Sequence, residues 1–279
     1  MNFAPFWARG ESGDFFSWRW SFKSAEEAQT LANEAARQLA ERVQRGDIPT
    51  RHNGYYPGRP FREQMLKEIK NSAGETIAVI TRNSYGCLVL NTSRVMFVDI
   101  DLPEPKRSGG GLLKKLFGRP EPKPPENPQN SALIKVENWT RNNDGWSWRI
   151  YRTRAGLRLL ATHTLFDPEA VGSNGVFNSL GADPLYTQLC KTQKCFRARL
   201  SPKPWRCGVF DKPDRWPFLT PKAEAQFQKW EKQYQAESAN WATTALIRKL
   251  GTGDIHPDVQ TIISIHDEST RAESKMELA

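Results

Sequence analysis

The sequence predicts an α+β fold: a mostly antiparallel sheet with packed helices, interrupted by a disordered insert rich in proline, glycine and lysine. Three observations predict it. Short apolar runs separated by brief polar turns follow one another between Glu75 and Asp99 and again between Trp146 and His163, as in antiparallel hairpins. An amphipathic helical segment with an alanine-rich stripe lies near the N-terminus and is shaped to pack on a sheet. The chain has 279 residues, of which 38% are hydrophobic, enough to bury a sizeable core.

Each element has its own justification. Phe15 to Phe22 (FFSWRWSF) alternates bulky and polar residues and reads as a strand with aromatics on one face. Ser24 and Glu27 form a capping box, after which Ala28, Leu31, Ala32, Ala35, Leu39 and Val43 recur at helical spacing until Gly46. Residues 47–60 are rich in turn formers and read as a loop. Phe61 to Lys70 reads as a short helix and Asn71 to Gly74 as a turn. Glu75 to Arg82, Tyr85 to Leu90 and Arg94 to Asp99 are three strands. The run Val95 to Val98 is continuously apolar, which predicts a central strand covered on both faces.

Composition then changes. Residues 103–131 hold many prolines and a Gly109–Gly111 triplet, the signature of a flexible insert. Within it, Leu112 to Phe117 is a short basic amphipathic patch that could touch a membrane surface or a partner protein. The core resumes at Ala132. Trp146 to Thr153 and Gly156 to His163 form a hairpin through Arg154 and Ala155. Asp183 and Pro184 start a helix. Phe196 to Ser201 is a strand, and 202–217 a basic stretch with proline and tryptophan. Pro221 to Leu250 reads as mainly helical, capped by Thr220. Residues 251–279 read as a partly mobile tail. The division is thus one α+β core from 1–102 and 132–250, with insert and tail outside it.

The net charge is +9 and the mean hydropathy −0.66. Positive charge favours polyanionic partners, namely nucleic acid, nucleoside triphosphates or an acidic surface. No apolar run is long enough to span a bilayer, and the N-terminus lacks a signal-peptide pattern, so the expected location is cytoplasmic. The four cysteines, Cys87, Cys190, Cys195 and Cys207, are too few for a disulfide framework and lack zinc-site spacing; they are expected to be reduced and partly buried. The P-loop, dinucleotide-binding, nucleophile-elbow and zincin signatures do not occur.

Three groups of residues could carry chemistry. In Val98-Asp99-Ile100-Asp101-Leu102-Pro103 an apolar strand ends in two acids at i and i+2, which share one side of an extended strand. Adjacent carboxylates repel unless a cation lies between them, and Mg2+ or Mn2+ with bound phosphates is the natural occupant; the alternative is a strand-end turn. The hairpin holding Arg149, Arg152, Arg154, Arg158 and His163 could line up guanidinium forks for phosphate oxygens or could form the solvated face of the sheet. Arg197, Arg199, Lys203 and Arg206, with Trp205 among them, suit a nucleic-acid backbone or a stacked base, or a Trp-anchored loop on the core.

Taken together, Asp99-Ile100-Asp101 at one strand end and Ala161-Thr162-His163 at a later one resemble the catalytic palm of the archaeo-eukaryotic primase-polymerase superfamily. That family has an acid-x-acid motif, a small-x-His motif and a third acid, on a palm that resembles an RNA-recognition fold. The resemblance implies that Asp99 and Asp101 hold the metal and that His163 contacts the phosphates of an incoming nucleotide. It implies metal-assisted attack of a 3′-hydroxyl on a nucleoside triphosphate. Here position 161 is Ala where Ser is often found, and the third acid is Asp211 or Asp167. Three functions remain open: a nucleotidyltransferase of this type, a non-catalytic nucleic-acid- or nucleotide-binding protein, and a protein that docks a partner through the basic insert.

Overall fold

The computed structural model describes residues 1–47, 60–102, 127–211 and 213–279. The loop expected over 48–59, the insert over 103–126 with its basic patch 112–117, and Lys212 lie outside the described residues. The fold is α+β, and every strand pair in its sheets is antiparallel.

The N-terminal part is a hairpin on a helix. Strands β1 (Phe6–Ser12) and β2 (Phe15–Ser21) pair in register from Phe6↔Ser21 to Ser12↔Phe15. Helix α1 (Ala25–Gln44) starts at Ser24, whose hydroxyl accepts from the Glu27 amide at 3.1 Å. Glu27 does not complete the capping box; its carboxylate takes the Ser21 hydroxyl instead. Ala28, Ala32 and Ala36 form the buried stripe, while Leu31 is exposed. The small stripe permits very close approach to the hairpin. A Cβ built on Gly10 would lie 2.1 Å from the Ala32 carbonyl carbon, so only glycine fits there.

Two four-stranded sheets follow. One has the order β3 (Gln64–Lys70), β4 (Thr76–Arg82), β5 (Leu88–Thr92), β9 (Phe196–Arg199). The other has the order β10 (Thr244–Leu250), β7 (Trp148–Thr153), β8 (Gly156–Ala161), β6 (Phe97–Asp101). Helices α2 (Pro128–Arg141), α3 (Val171–Leu180), α4 (Pro184–Gln193) and α6 (Pro257–Thr270) share one apolar cluster with both sheets, through Val136, Phe177, Tyr186 and Ile262 among others. Helix α5 (Pro221–Ser238) builds a smaller cluster from Phe227, Trp230 and Tyr234 against Val209.

The structure corrects several sequence expectations. Gln64–Lys70 is a strand, not a helix: its residues favour helix intrinsically, but pairing with β4 overrides a weak local preference. The helix from Pro221 stops at Ser238, and Thr244–Leu250, led by buried Thr243 and Thr244, becomes edge strand β10. The insert ends earlier than expected, because Asn127 caps α2 through its side chain at 3.1 Å from the Gln129 amide and Pro128 opens the helix. The C-terminal region is built into the core: α6 buries Val259, Ile262, Ile263 and His266, and Ala279 is buried against Ala242. Strand β6 is not central; it is an edge strand with both faces covered. Its outer carbonyls are satisfied by other means: the Phe97 oxygen accepts from the Tyr186 hydroxyl at 2.9 Å, and the Asp99 oxygen from the Asp183 amide at 2.9 Å. Covering an edge in this way blocks pairing with another chain. All four cysteines are buried free thiols.

Candidate functional site

Register decides how the proposed residues relate. Strands β6 and β8 are antiparallel, with Phe97 opposite Leu160, Asp99 opposite Arg158 and Asp101 opposite Gly156. Asp101 therefore sits where β8 begins, whereas His163 lies beyond its far end, where the Phe166 amide meets the Arg94 carbonyl. At about 3.3 Å per residue the two ends are roughly 20 Å apart. The structure does not bring His163 to the acidic pair. Its ring stacks edge-on against Trp146 at 4.7 Å, and its Nδ1 accepts from the Ser147 amide at 3.2 Å. Burial lowers its pKa, and the Ser147 bond uses the Nδ1 lone pair, so the ring is neutral with its proton on Nε2. Asp167 lies at this far end too, where it accepts from the Glu169 amide. Asp211 belongs to the α5 cluster, its carbonyl accepting from Trp230 at 3.1 Å.

Most strand arginines point inward, each to an acid. Arg158, 2% exposed, grips both oxygens of Asp99 at 2.8 and 3.1 Å and donates to the Arg199 carbonyl at 2.9 Å. Arg149 is held by Asp267, by Glu273 at 3.2 Å and by the Tyr151 hydroxyl at 2.9 Å. Arg197 bonds both oxygens of Glu63 at 2.8 and 2.9 Å, and its guanidinium lies over the rings of Phe3 and Phe61. All three are buried and paired with carboxylates, so they do not form a solvated face. A buried guanidinium needs a carboxylate to offset its desolvation, and that need sets their orientation. Arg152 and Arg154 remain exposed, Arg154 in the β7–β8 turn.

The metal expected between Asp99 and Asp101 does not fit the residues present. Both oxygens of Asp99 are already engaged by Arg158. The nearest additional acid, Asp183, spends its carboxylate on the Leu185 and Tyr186 amides at the start of α4. Among the described residues, no group of three His, Cys, Asp or Glu side chains is arranged to hold a metal ion.

A different cluster does assemble at this end of the sheet. Asp101 is close enough to Lys203 and Arg199 to feel their charge, yet burial, with Asp183 and Asp99 nearby, raises its pKa. Lys203 is half-buried, and its pKa is lowered first by burial and then by Arg199 and Arg206, with Asp101 acting the other way. Lys203 and Arg199 thus stand near Asp101, with Arg206 close to Lys203. Among the described residues neither Arg199 nor Lys203 forms an ion pair. The backbone explains the crowding. Arg199 ends β9, and Pro204–Arg206 forms a short 3-10 turn that the Val209 amide closes onto the Pro204 carbonyl at 3.0 Å. The register also places the turn that carries Arg154 at this end.

Aromatic rings border the cations. Lys203 lies over Trp205 at 5.4 Å, and Trp205 meets Tyr85 edge-on at 5.3 Å. Trp205 and Tyr85 are exposed, and Phe210, just after the closed turn, is 77% exposed. Sequence reasoning found Arg199, Lys203, Trp205 and Arg206 but missed Tyr85 and Phe210. The signal for Tyr85 was an aromatic inside the tight turn Asn83–Gly86, where nothing in the strand pattern requires one. Comparison with protein-family models, curated proteins and solved structures gives no match.

Proposed function

We propose that the protein is a non-catalytic binder of nucleic acid or of nucleotide phosphates, acting through the loop that joins β9 to α5. The observation that carries this reading is the pair Arg199 and Lys203, which form no ion pair among the described residues, beside the exposed rings of Trp205 and Tyr85. Like charges held together in a half-buried site lower each other's stability, and an incoming phosphate relieves that repulsion. Exposed rings give the bases a sequence-tolerant surface to stack on.

The nucleotidyl-transfer expectation gains no support from the geometry, because Asp101 and His163 stand at opposite ends of one sheet and Asp99 is occupied by Arg158. Docking through the basic insert concerns residues outside those described. No helix among the described residues is long and apolar enough to cross a membrane.

The test is binding of a labelled single-stranded oligonucleotide as salt is raised. Affinity is expected to fall steeply with salt, and Lys203→Gln is expected to reduce the slope of log affinity against log salt by roughly 0.7. Salt-independent binding, or a slope unchanged in Lys203→Gln and Arg206→Gln, contradicts the reading.

A further inference from the structure

The hairpin β1–β2 carries a second aromatic and cationic surface that joins the first. Residues alternate in direction along a strand. Gly10 meets Ala32 of α1, and Ser21 meets Glu27, so that parity faces the helix. The opposite face presents Trp7, Arg9, Phe16, Trp18 and Trp20. Contacts across this face agree: Trp7 and Trp20 lie 5.3 Å apart between ring centres, and Arg9 sits over Phe16 at 4.4 Å. Phe16 is 53% exposed. Among the described helices and strands, α1 is the one that packs extensively on the hairpin, and it does so on the other face.

A chain of contacts leads from this face to the loop. Arg62 lies over Trp18 at 3.9 Å. The same Arg62 lines a water-sized cavity of about 20 Å³ together with Arg82, Ser84, Arg215 and Trp216. Ser84 precedes Tyr85, whose ring meets Trp205, over which Lys203 lies. Rings and cations therefore recur along a chain of neighbouring residues, from Phe16 and Trp18 through Arg62 and Arg215 to Trp205 and Lys203, with Glu11 on Arg9 and Asp214 beside Arg215 as the acids among them.

We infer that this stretch is one track for a single-stranded polynucleotide, with the hairpin and the loop as its two ends. The inference rests on the reading of the loop as a nucleic-acid site and specifies its ligand. A single strand offers unpaired bases to the rings and evenly spaced phosphates to the arginines. A duplex keeps its bases stacked inside and could use only the charges.

The test is fluorescence anisotropy with labelled oligo-thymidylate of about four and of about twelve residues, and with a duplex of the longer length. The proteins are wild type, Trp205→Ala, Trp18→Ala and Phe16→Ala. Phe16 is exposed, so its variant keeps the test open should loss of Trp18 disturb the hairpin. Wild type is expected to bind the longer strand at least about tenfold more tightly than the shorter one, and more tightly than the duplex. Phe16→Ala and Trp18→Ala are expected to remove most of the length gain. Trp205→Ala is expected to weaken both lengths. A length gain untouched by the hairpin variants overturns the track and leaves the loop reading standing, and a duplex bound as tightly as the single strand does the same. Binding that ignores Trp205 but depends on the hairpin overturns the loop reading and the continuous track together, as does no binding of either strand by wild type.

Discussion

Two sets of basic residues in this chain look alike in sequence and differ in the fold. Arg149, Arg158 and Arg197 alternate with apolar residues along strands, and all three are buried against carboxylates. Arg199, Lys203 and Arg206 end a strand and run into a proline-fixed turn, and they crowd together with one nearby acid. Neighbouring acid, more than burial alone, makes the difference. Where Asp99, Glu63 or Asp267 lies within reach, the cation completes a structural pair. Where the acids are already spent on Arg158 or on the start of α4, Arg199 and Lys203 are left without an ion pair among the described residues.

The comparison breaks most visibly in the buried set. Arg158→Met leaves Asp99 partly buried and unpaired, and about 3–5 kcal/mol of stability is expected to be lost, measured by urea denaturation. A loss under about 1 kcal/mol would mean that Arg158 is not structural. For the same reason Asp99→Asn perturbs folding before it reports on any chemistry, so Asp101 is the informative acid.

Most of this division was hidden from sequence. The hairpin Trp148–Ala161, the capped starts at Ser24 and Asp183 and the turn at Arg154 were legible, because they rest on local spacing and turn chemistry. The partners of the strand arginines were not. Glu63 lies 134 residues before Arg197, and Asp267 lies 118 after Arg149, so no local pattern joins them. Alternation along β7 and β8 predicts two faces but not that both are buried. Asp101 does end β6, but Asp99 lies at the middle of that strand and His163 two residues beyond the end of β8; what spacing could not show is that antiparallel pairing sends Asp101 and His163 in opposite directions. Helix α6 did carry a readable signal in Val259, Ile262, Ile263 and His266, spaced as one helical stripe after Pro257.

A smaller effect sharpens the comparison through pH. His266 is fully buried, and burial lowers its pKa despite Asp267 beside it; the paired Arg158 and Asp99 also act on it, Arg158 lowering and Asp99 raising its pKa. His163 is lowered by burial as well. The unfolded chain binds protons at these histidines near the ordinary pKa of about 6.5, and the folded chain does so only at lower pH. Their contribution to stability is therefore full above about pH 6.5 and lost as pH falls through the folded values. Asp101 works the opposite way: its raised pKa favours the fold at low pH, and that contribution is lost as pH rises above about 3.8. Melting temperature is expected to drop between pH 7 and pH 5.5, and His266→Gln to flatten the drop. A wild-type profile flat over that interval contradicts the assignment.

The most direct test of the central claim uses Asp101→Asn, with oligonucleotide affinity measured in the presence and absence of Mn2+. If the cluster is an anion site, removing the one acid beside Lys203 and Arg199 relieves its competition with phosphate. Affinity is then expected to rise by a few-fold, about 0.5–1 kcal/mol, with no requirement for the metal. Loss of binding in Asp101→Asn, together with Mn2+ dependence in the wild type, would restore the aspartate as a metal ligand and contradict the account.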